Sequence, residues 1–218
     1  PRVDRTAGRD AFDDDLDPSD IIYTAYGAER DAVDNDGNGY VDDVSGWDFF
    51  GNDNDAFNDW DEGNGTHGTG VMREAAAEGK NLGESSGGRN GVCPNSAILP
   101  LRIGDAFVTD GLRAGESITY AADMDAVVIN LAVGALSNPA STTEAAAYAF
   151  DEGMLLVGAA GDENAYHHNF PAVLDNAVYV HSILYNTADR NQDVESYMNT
   201  WNCNNYGSRM VMVAPSGA

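Results

Sequence analysis

From residue 97 onward the chain alternates short apolar runs with segments of helical character, and this alternation restricts the fold more than any other feature. Residues 97–103, 126–133 and 154–160 are short and almost wholly apolar, the pattern of strands buried on both faces. Between them, residues 117–124 and 142–152 read as helices, the second capped by Thr142 or Thr143 and closed by Gly153. Residues 176–183 and 208–213 read as further strands. Strand and helix in this order predict an α/β domain with a parallel sheet covered on both faces and right-handed crossovers. Ligands of such sheets bind beyond the carboxyl ends of the strands, so the loops after Ile103, Val133 and Ala160 are the places to look.

A chain of 218 residues has the length of one domain. Two segments differ in character: residues 1–62 are acidic and turn-rich, and residues 63–218 carry the periodic elements. The net charge is −25, from 36 acidic against 11 basic side chains. Phosphate backbones and anionic membranes need a cationic surface, so neither is an expected partner. Residues 1–62 hold 19 of the 36 acids, which points to cation binding in that segment or to a solvated acidic face. No apolar run reaches 18 residues, so no spanning helix is expected. The start on Pro1, with no basic-then-apolar leader, reads as a mature, trimmed or partial product without a signal peptide. Cys93 and Cys203 allow one disulfide or two buried thiols.

Two constellations carry chemistry. In Gly65-Thr66-His67-Gly68-Thr69-Gly70-Val71, an imidazole stands just before a helix expected over residues 69–78 and closed by Gly79. The flanking Gly68 and Gly70 would allow close backbone approach. His67 there is either a proton-transfer group or a surface histidine at a corner. In residues 34–43, the side-chain oxygens of Asp34, Asp36 and Asn38 alternate, Gly39 permits a sharp turn, and Tyr40 offers its carbonyl. Ser45 stands where an EF-hand loop places its bidentate glutamate, so Asp42 or Asp43 would complete the shell. An oxygen-only set suits Ca2+; the alternative is an Asp/Asn/Gly turn without an ion. Asn52-Asp53-Asn54-Asp55 and His167-His168 read as solvated loops, and His181 as a satisfied core residue. Trp47, Phe49 and Phe50 read as anchors of the acidic loop to the core.

Six segments in order resemble the subtilisin-like serine protease family, the subtilases, over about residues 30–218. They are His67-Gly68-Thr69 with Val71, Gly91-Val92-Cys93-Pro94, Val128-Ile129-Asn130-Leu131-Ala132-Val133-Gly134, Val157-Gly158-Ala159-Ala160-Gly161-Asp162, Phe170-Pro171-Ala172 with residues 177–180, and Asn205-Tyr206-Gly207 with Val213-Ala214-Pro215. The resemblance implies a three-layer subtilisin-like α/β fold, incomplete here, with a mostly parallel central sheet and helices on both faces. It implies hydrolysis of peptide or protein substrates through Ser-His-Asp chemistry. His67 would be the general base, and Ala132, Val133, Gly134, Ala159, Ala160 and Gly161 would line the cleft. It also raises the expectation of Ca2+ in the acidic loop and of an extracellular or cell-surface location.

The chain departs from the family pattern at several positions. Gly70 and Arg73 replace a histidine and a small residue. Asp162 occupies the position of the oxyanion-hole asparagine, where an ionised carboxylate would repel the oxyanion and a protonated one would need burial to donate. Asp4 fits the triad aspartate with a local insertion, whereas an ungapped match puts Thr6 there. Ser216 precedes the position of the family's nucleophile, so these 218 residues alone are expected to be inactive. The alternatives are a catalytically inactive homologue that binds peptide or acts as a scaffold, and an extracellular calcium-binding module.

Overall fold

The computed structural model describes residues 32–56, 67–77, 91–104, 108–163, 165–185, 195–196, 205, 207 and 212–216. Asp4, Thr6, Gly79 and Cys203 lie outside them. The chain forms two compact units, Pro1–Ala106 and Phe107–Ala218.

In the first unit, β1 (Trp47–Asp48) pairs in parallel with β2 (Leu101–Arg102). The strand expected over residues 97–103 thus shrinks to two residues. Among the described residues, only Leu101 and Arg102 of this run face a partner strand, and Pro100, just before them, has no N–H to give a ladder. Trp47 and Phe49 are buried, and the Tyr40 ring meets both edge-on at 5.0 and 5.6 Å, which fastens the acidic loop to this small core. Asp48 is buried too. Its carboxylate accepts from Phe50 N (2.7 Å), Gly51 N (2.8 Å) and Arg102 (2.6 Å), and the Arg102 guanidinium lies 5.1 Å from the Phe50 ring centre. Helix α1 (His67–Ala76) ends against the Gly91-Val92-Cys93 segment. Its orphan carbonyls at Ala77, Glu74 and Ala75 accept from Gly91, Val92 and Cys93 N–H. A Cβ on Gly91 would lie 2.3 Å from Ala77 N, so this approach requires glycine. Cys93 is exposed and free, not the buried thiol offered by its sequence context, because the turn that caps α1 carries its side chain outward.

In the second unit, β3 (Val108–Thr109) pairs in parallel with β5 (Gly134–Ala135). The main sheet runs β4 (Val128–Leu131), β6 (Leu155–Ala159), β7 (Ala177–Tyr185), β8 (Glu195–Ser196), with β9 (Met212–Ser216) also on β7. All pairings are parallel except β7 with β8. Helix α2 (Gly111–Asp123) begins six residues earlier than residue 117, because Asp110 caps it by accepting from Arg113 N at 3.0 Å. Helix α3 (Ala140–Asp151) follows β5 and packs on α2, and its Ala145, Ala146 and Ala149 are buried. Neither Thr142 nor Thr143 caps α3. Pro139 holds that position without a side-chain bond, and the buried Thr142 hydroxyl donates to Gly111 O on α2 at 2.5 Å. Tyr148 on α3 donates to Asp123 on α2 (2.6 Å), a bond that pushes the phenol up to about 12.

Burial alternates along β4 and β6. Ile129, Leu131 and Leu156 are buried, whereas the register partners Val128 and Leu155 are 52% and 43% exposed. One face of these strands therefore carries the core. Ala160, Ala172 and Tyr179 form a buried cluster just past the end of β6.

Candidate active site

His67 is the first residue of α1, and the whole His67–Gly70 turn is exposed. A Cβ on Gly68 or Gly70 would meet nothing within 4 Å. That absence of neighbours holds among the described residues.

The two segments expected to wall a cleft follow the carboxyl ends of adjacent parallel strands. Residues 132–134 continue beyond the carboxyl end of β4, and Ala160 and Gly161 continue beyond Ala159 at the end of β6. The ladder between the strands closes at Leu131↔Gly158, and one side chain takes over beyond it. The buried Asn169 Nδ2 donates to Val133 O (2.9 Å) and to Ala159 O (2.8 Å), which brings the two walls together. Ala160 O accepts from Tyr179 Oη (3.2 Å) and Asn205 Nδ2 (3.0 Å), and Gly161 O accepts from Asn205 N (3.1 Å). Asn205 also donates to Glu163 and accepts from Ala165 N, so one buried asparagine holds the loop on either side of Asp162. Burial pushes the Tyr179 phenol above its ordinary range. His181 is 4% exposed with Nδ1 3.0 Å from Asn205 O, a satisfied core histidine. Asp162 itself is exposed.

Asn169, Tyr179 and Asn205 went unassigned in the sequence. Each lay in or beside a recognised segment: Asn169 precedes Phe170-Pro171, Tyr179 falls within residues 177–180, and Asn205 opens Asn205-Tyr206-Gly207. His167 and His168 are exposed, and the His168 ring lies 5.9 Å from Tyr166 and 6.4 Å from Tyr179.

In the acidic loop, the Asp34 carboxylate accepts from Gly37, Asn38 and Gly39 N–H at 2.7, 3.1 and 2.8 Å. These bonds, Gly39's foremost, hold its carboxyl below the usual range against partial desolvation. Gly37 and Gly39 have φ of +76° and +94°, values that suit glycine. Asn38 Nδ2 bridges Asp36 (3.2 Å) and Asp43 (2.8 Å). Asp42 points elsewhere, its carboxylate accepting from Ala32 N at 3.2 Å. Asn38 thus gathers Asp36 and Asp43, and its N–H also reaches Asp34. Among the described residues, however, no three His, Cys, Asp or Glu side chains are placed to hold a metal ion. No helix of the described residues is long and apolar enough to cross a membrane.

Mostly parallel strands joined through helices, as in the second unit, are the α/β architecture of the subtilisin type. Residues 12–217 match the Subtilase family, and the chain belongs to that family. It is 35% identical to thermitase of Thermoactinomyces vulgaris over 79% of this chain and 55% of that one. It is 33% identical to a thermophilic serine proteinase of a Bacillus species over 79% of this chain and 38% of that one. The chain therefore spans about half or less of the length of these relatives. Among solved structures, a protease of Pseudoalteromonas arctica superposes with a TM-score of 0.52 at 26% identity, covering 68% of this chain and 43% of the other.

Proposed function

We propose that these residues are the histidine- and cleft-bearing part of a serine endopeptidase. The observation that supports this most directly is His67 at the first position of α1 in a chain of the Subtilase family. In the proposed reaction His67 takes the proton of a serine hydroxyl as it attacks the scissile carbonyl, then returns it to the leaving amine. The substrate is an extended peptide or protein segment running between residues 132–134 and 159–161. Treating the full-length gene product with a fluorophosphonate serine probe tests this. Labelling that His67→Ala abolishes supports it, and no labelling of the wild type refutes it.

Exposed Asp162 at the oxyanion position favours a second reading, an inactive homologue that binds peptide. Specific peptide binding without labelling would establish that reading.

We further propose an extracellular location and Ca2+ in the acidic loop, with Asp34, Asp36, Asn38 and Asp43 as oxygen ligands and the Tyr40 carbonyl beside them. The support is the oxygen-only donor set and the convergence of the Asp36 and Asp43 carboxylates on the Asn38 amide. Bound Ca2+ would neutralise clustered charge and stiffen the loop. Thermal unfolding with Ca2+ and with chelator, in wild type and Asp34→Ala/Asp36→Ala, tests the site. A Ca2+-dependent rise in midpoint that the variant loses is expected, and identical unfolding with and without the ion refutes it.

A further inference from the structure

We propose that Asn169 is a positioning residue that sets the separation of the two cleft walls; this rests on the serine-endopeptidase reading above. The side chain is 4% exposed, and both hydrogens of its amide are used, one on each wall. An amide is planar with its two N–H bonds fixed about 120° apart, so one nitrogen holding two carbonyls defines their distance and direction together. Nothing in the ladder does this, because β4 and β6 stop pairing at Leu131↔Gly158. The amide is itself anchored. Asn169 N donates to Tyr179 Oη (3.1 Å), Val173 N donates to Asn169 O (2.9 Å), and Ala135 N, just past the first wall, donates to Phe170 O (3.0 Å).

Only asparagine meets these demands. Aspartate has the shape but presents an oxygen to two carbonyl oxygens. Leucine leaves both carbonyls without a donor, and glutamine reaches one methylene too far. On its other side, Asn169 Oδ1 would lie 2.9 Å from a Cβ added to Gly134, so glycine there keeps the amide in place. A substrate between the walls takes its alignment from them, and a misplacement of about 1 Å costs on the order of 10²-fold in rate.

The test is done on the full-length gene product, with a peptide p-nitroanilide and with a small fluorophosphonate that has no peptide portion. The small probe reads the nucleophile and its base, whereas the peptide also reads the walls. Asn169→Asp is expected to lower kcat for the peptide by about 10–100-fold, to change KM by less than about threefold, and to leave probe labelling within about threefold of wild type. Tyr148→Phe, on the surface of α3, is the control that leaves both unchanged. Unchanged peptide kcat in folded Asn169→Asp overturns the proposal, as does a parallel fall in peptide and probe rates, which a general loss of structure would give. If Asn169→Asp does not fold, Gly134→Ala carries the test: the same split in smaller measure supports the clamp, and an unchanged peptide rate overturns it. A wild type that never labels removes the protease reading, an outcome distinct from an active enzyme indifferent to Asn169.

Discussion

Gly158 sits in the middle of the main sheet, paired with Leu131 on one side and Tyr179 on the other. A methyl group added there would lie 2.4 Å from Ala172 Cβ and 2.8 Å from Ala172 Cα. Favourable carbon contacts are about 3.5–4.0 Å, so β6 and the turn at Ala172 would have to part by roughly 1 Å. Neither obstructing atom is the far end of a flexible side chain, and Ala172 is fully buried, so rotamer changes give no relief. Overpacking of this kind costs about 1–3 kcal/mol, and this site belongs at the upper end. The lower entropy of an unfolded alanine returns about 0.4–1 kcal/mol. Gly158→Ala should therefore destabilise the protein by about 2 kcal/mol, a fall of about 4–8 °C in Tm for a chain of this length. Urea denaturation followed by circular dichroism measures it. Adding Ala172→Gly removes the obstructing methyl, so the double variant should recover about 1 kcal/mol relative to the sum of the single effects. A neutral Gly158→Ala, or strictly additive effects, would refute the reasoning.

Thr142→Ser should be tolerated within about 1 kcal/mol because the hydroxyl still reaches Gly111 O, whereas Thr142→Asp should cost several kcal/mol by burying a carboxylate against a carbonyl; an Asp that stabilises would show that Thr142 caps α3 after all. Tyr179 gives a pH dependence. Its phenol is raised above its unfolded value of about 10, so its contribution is complete below that pH and is lost as pH rises through the folded value. Unfolding midpoints should drop more steeply above pH 10 in the wild type than in Tyr179→Phe; equal slopes would remove Tyr179 as the cause. Asp34 has the opposite sign: held below about 3.9, it supports its loop above that pH and releases it as acid protonates the folded carboxyl, which loop amide exchange with and without Asp34→Asn would read. On the proposed serine-endopeptidase reading, Asp162→Asn would place an amide donor at the oxyanion position and should raise kcat of the full-length gene product by about 10²-fold; an unchanged or lower kcat would mean that the residue does not face the reacting carbonyl.

The apolar runs gave away the strands because a central parallel strand needs little beyond β-branched and aliphatic side chains. They could not tell how many faces would be covered: residues 126–133 read as buried on both, yet Val127 and Val128 are exposed. Hydrophobicity reports what a residue tolerates and says nothing of what lies opposite it. The start of α2 was hidden for a related reason. Gly111 and Gly115 argue against helix by propensity, but both are buried, and a Cβ on Gly115 would lie 2.8 Å from Thr142 Oγ1. Close packing between α2 and α3 overrides the local cost of about 1 kcal/mol per glycine. The family was legible because its marks, among them the His67 segment and residues 128–134 and 157–162, are runs of contiguous residues.

The clamp was not legible, because its bonds join residues far apart. Asn169 reaches partners 36 and 10 residues away, and Asn205 reaches one 45 away. No local pattern marks such an asparagine, since the same residue type in a loop is ordinary turn chemistry. The need for it nevertheless follows from topology. A parallel strand that stops pairing where a cleft must open leaves carbonyls at its carboxyl end with no ladder partner, and burial makes each of them costly to leave unpaired. Here the successive carbonyls of half-buried Ala159, buried Ala160 and half-buried Gly161 accept from Asn169, from Tyr179 and Asn205, and from Asn205 respectively. The small side chains of this run let those donors come close: a Cβ on Gly161 would lie 2.6 Å from Asn205 Nδ2. The glycine in the recognised wall segment and the asparagine outside it therefore answer the same physical demand, and substituting either should disturb the other.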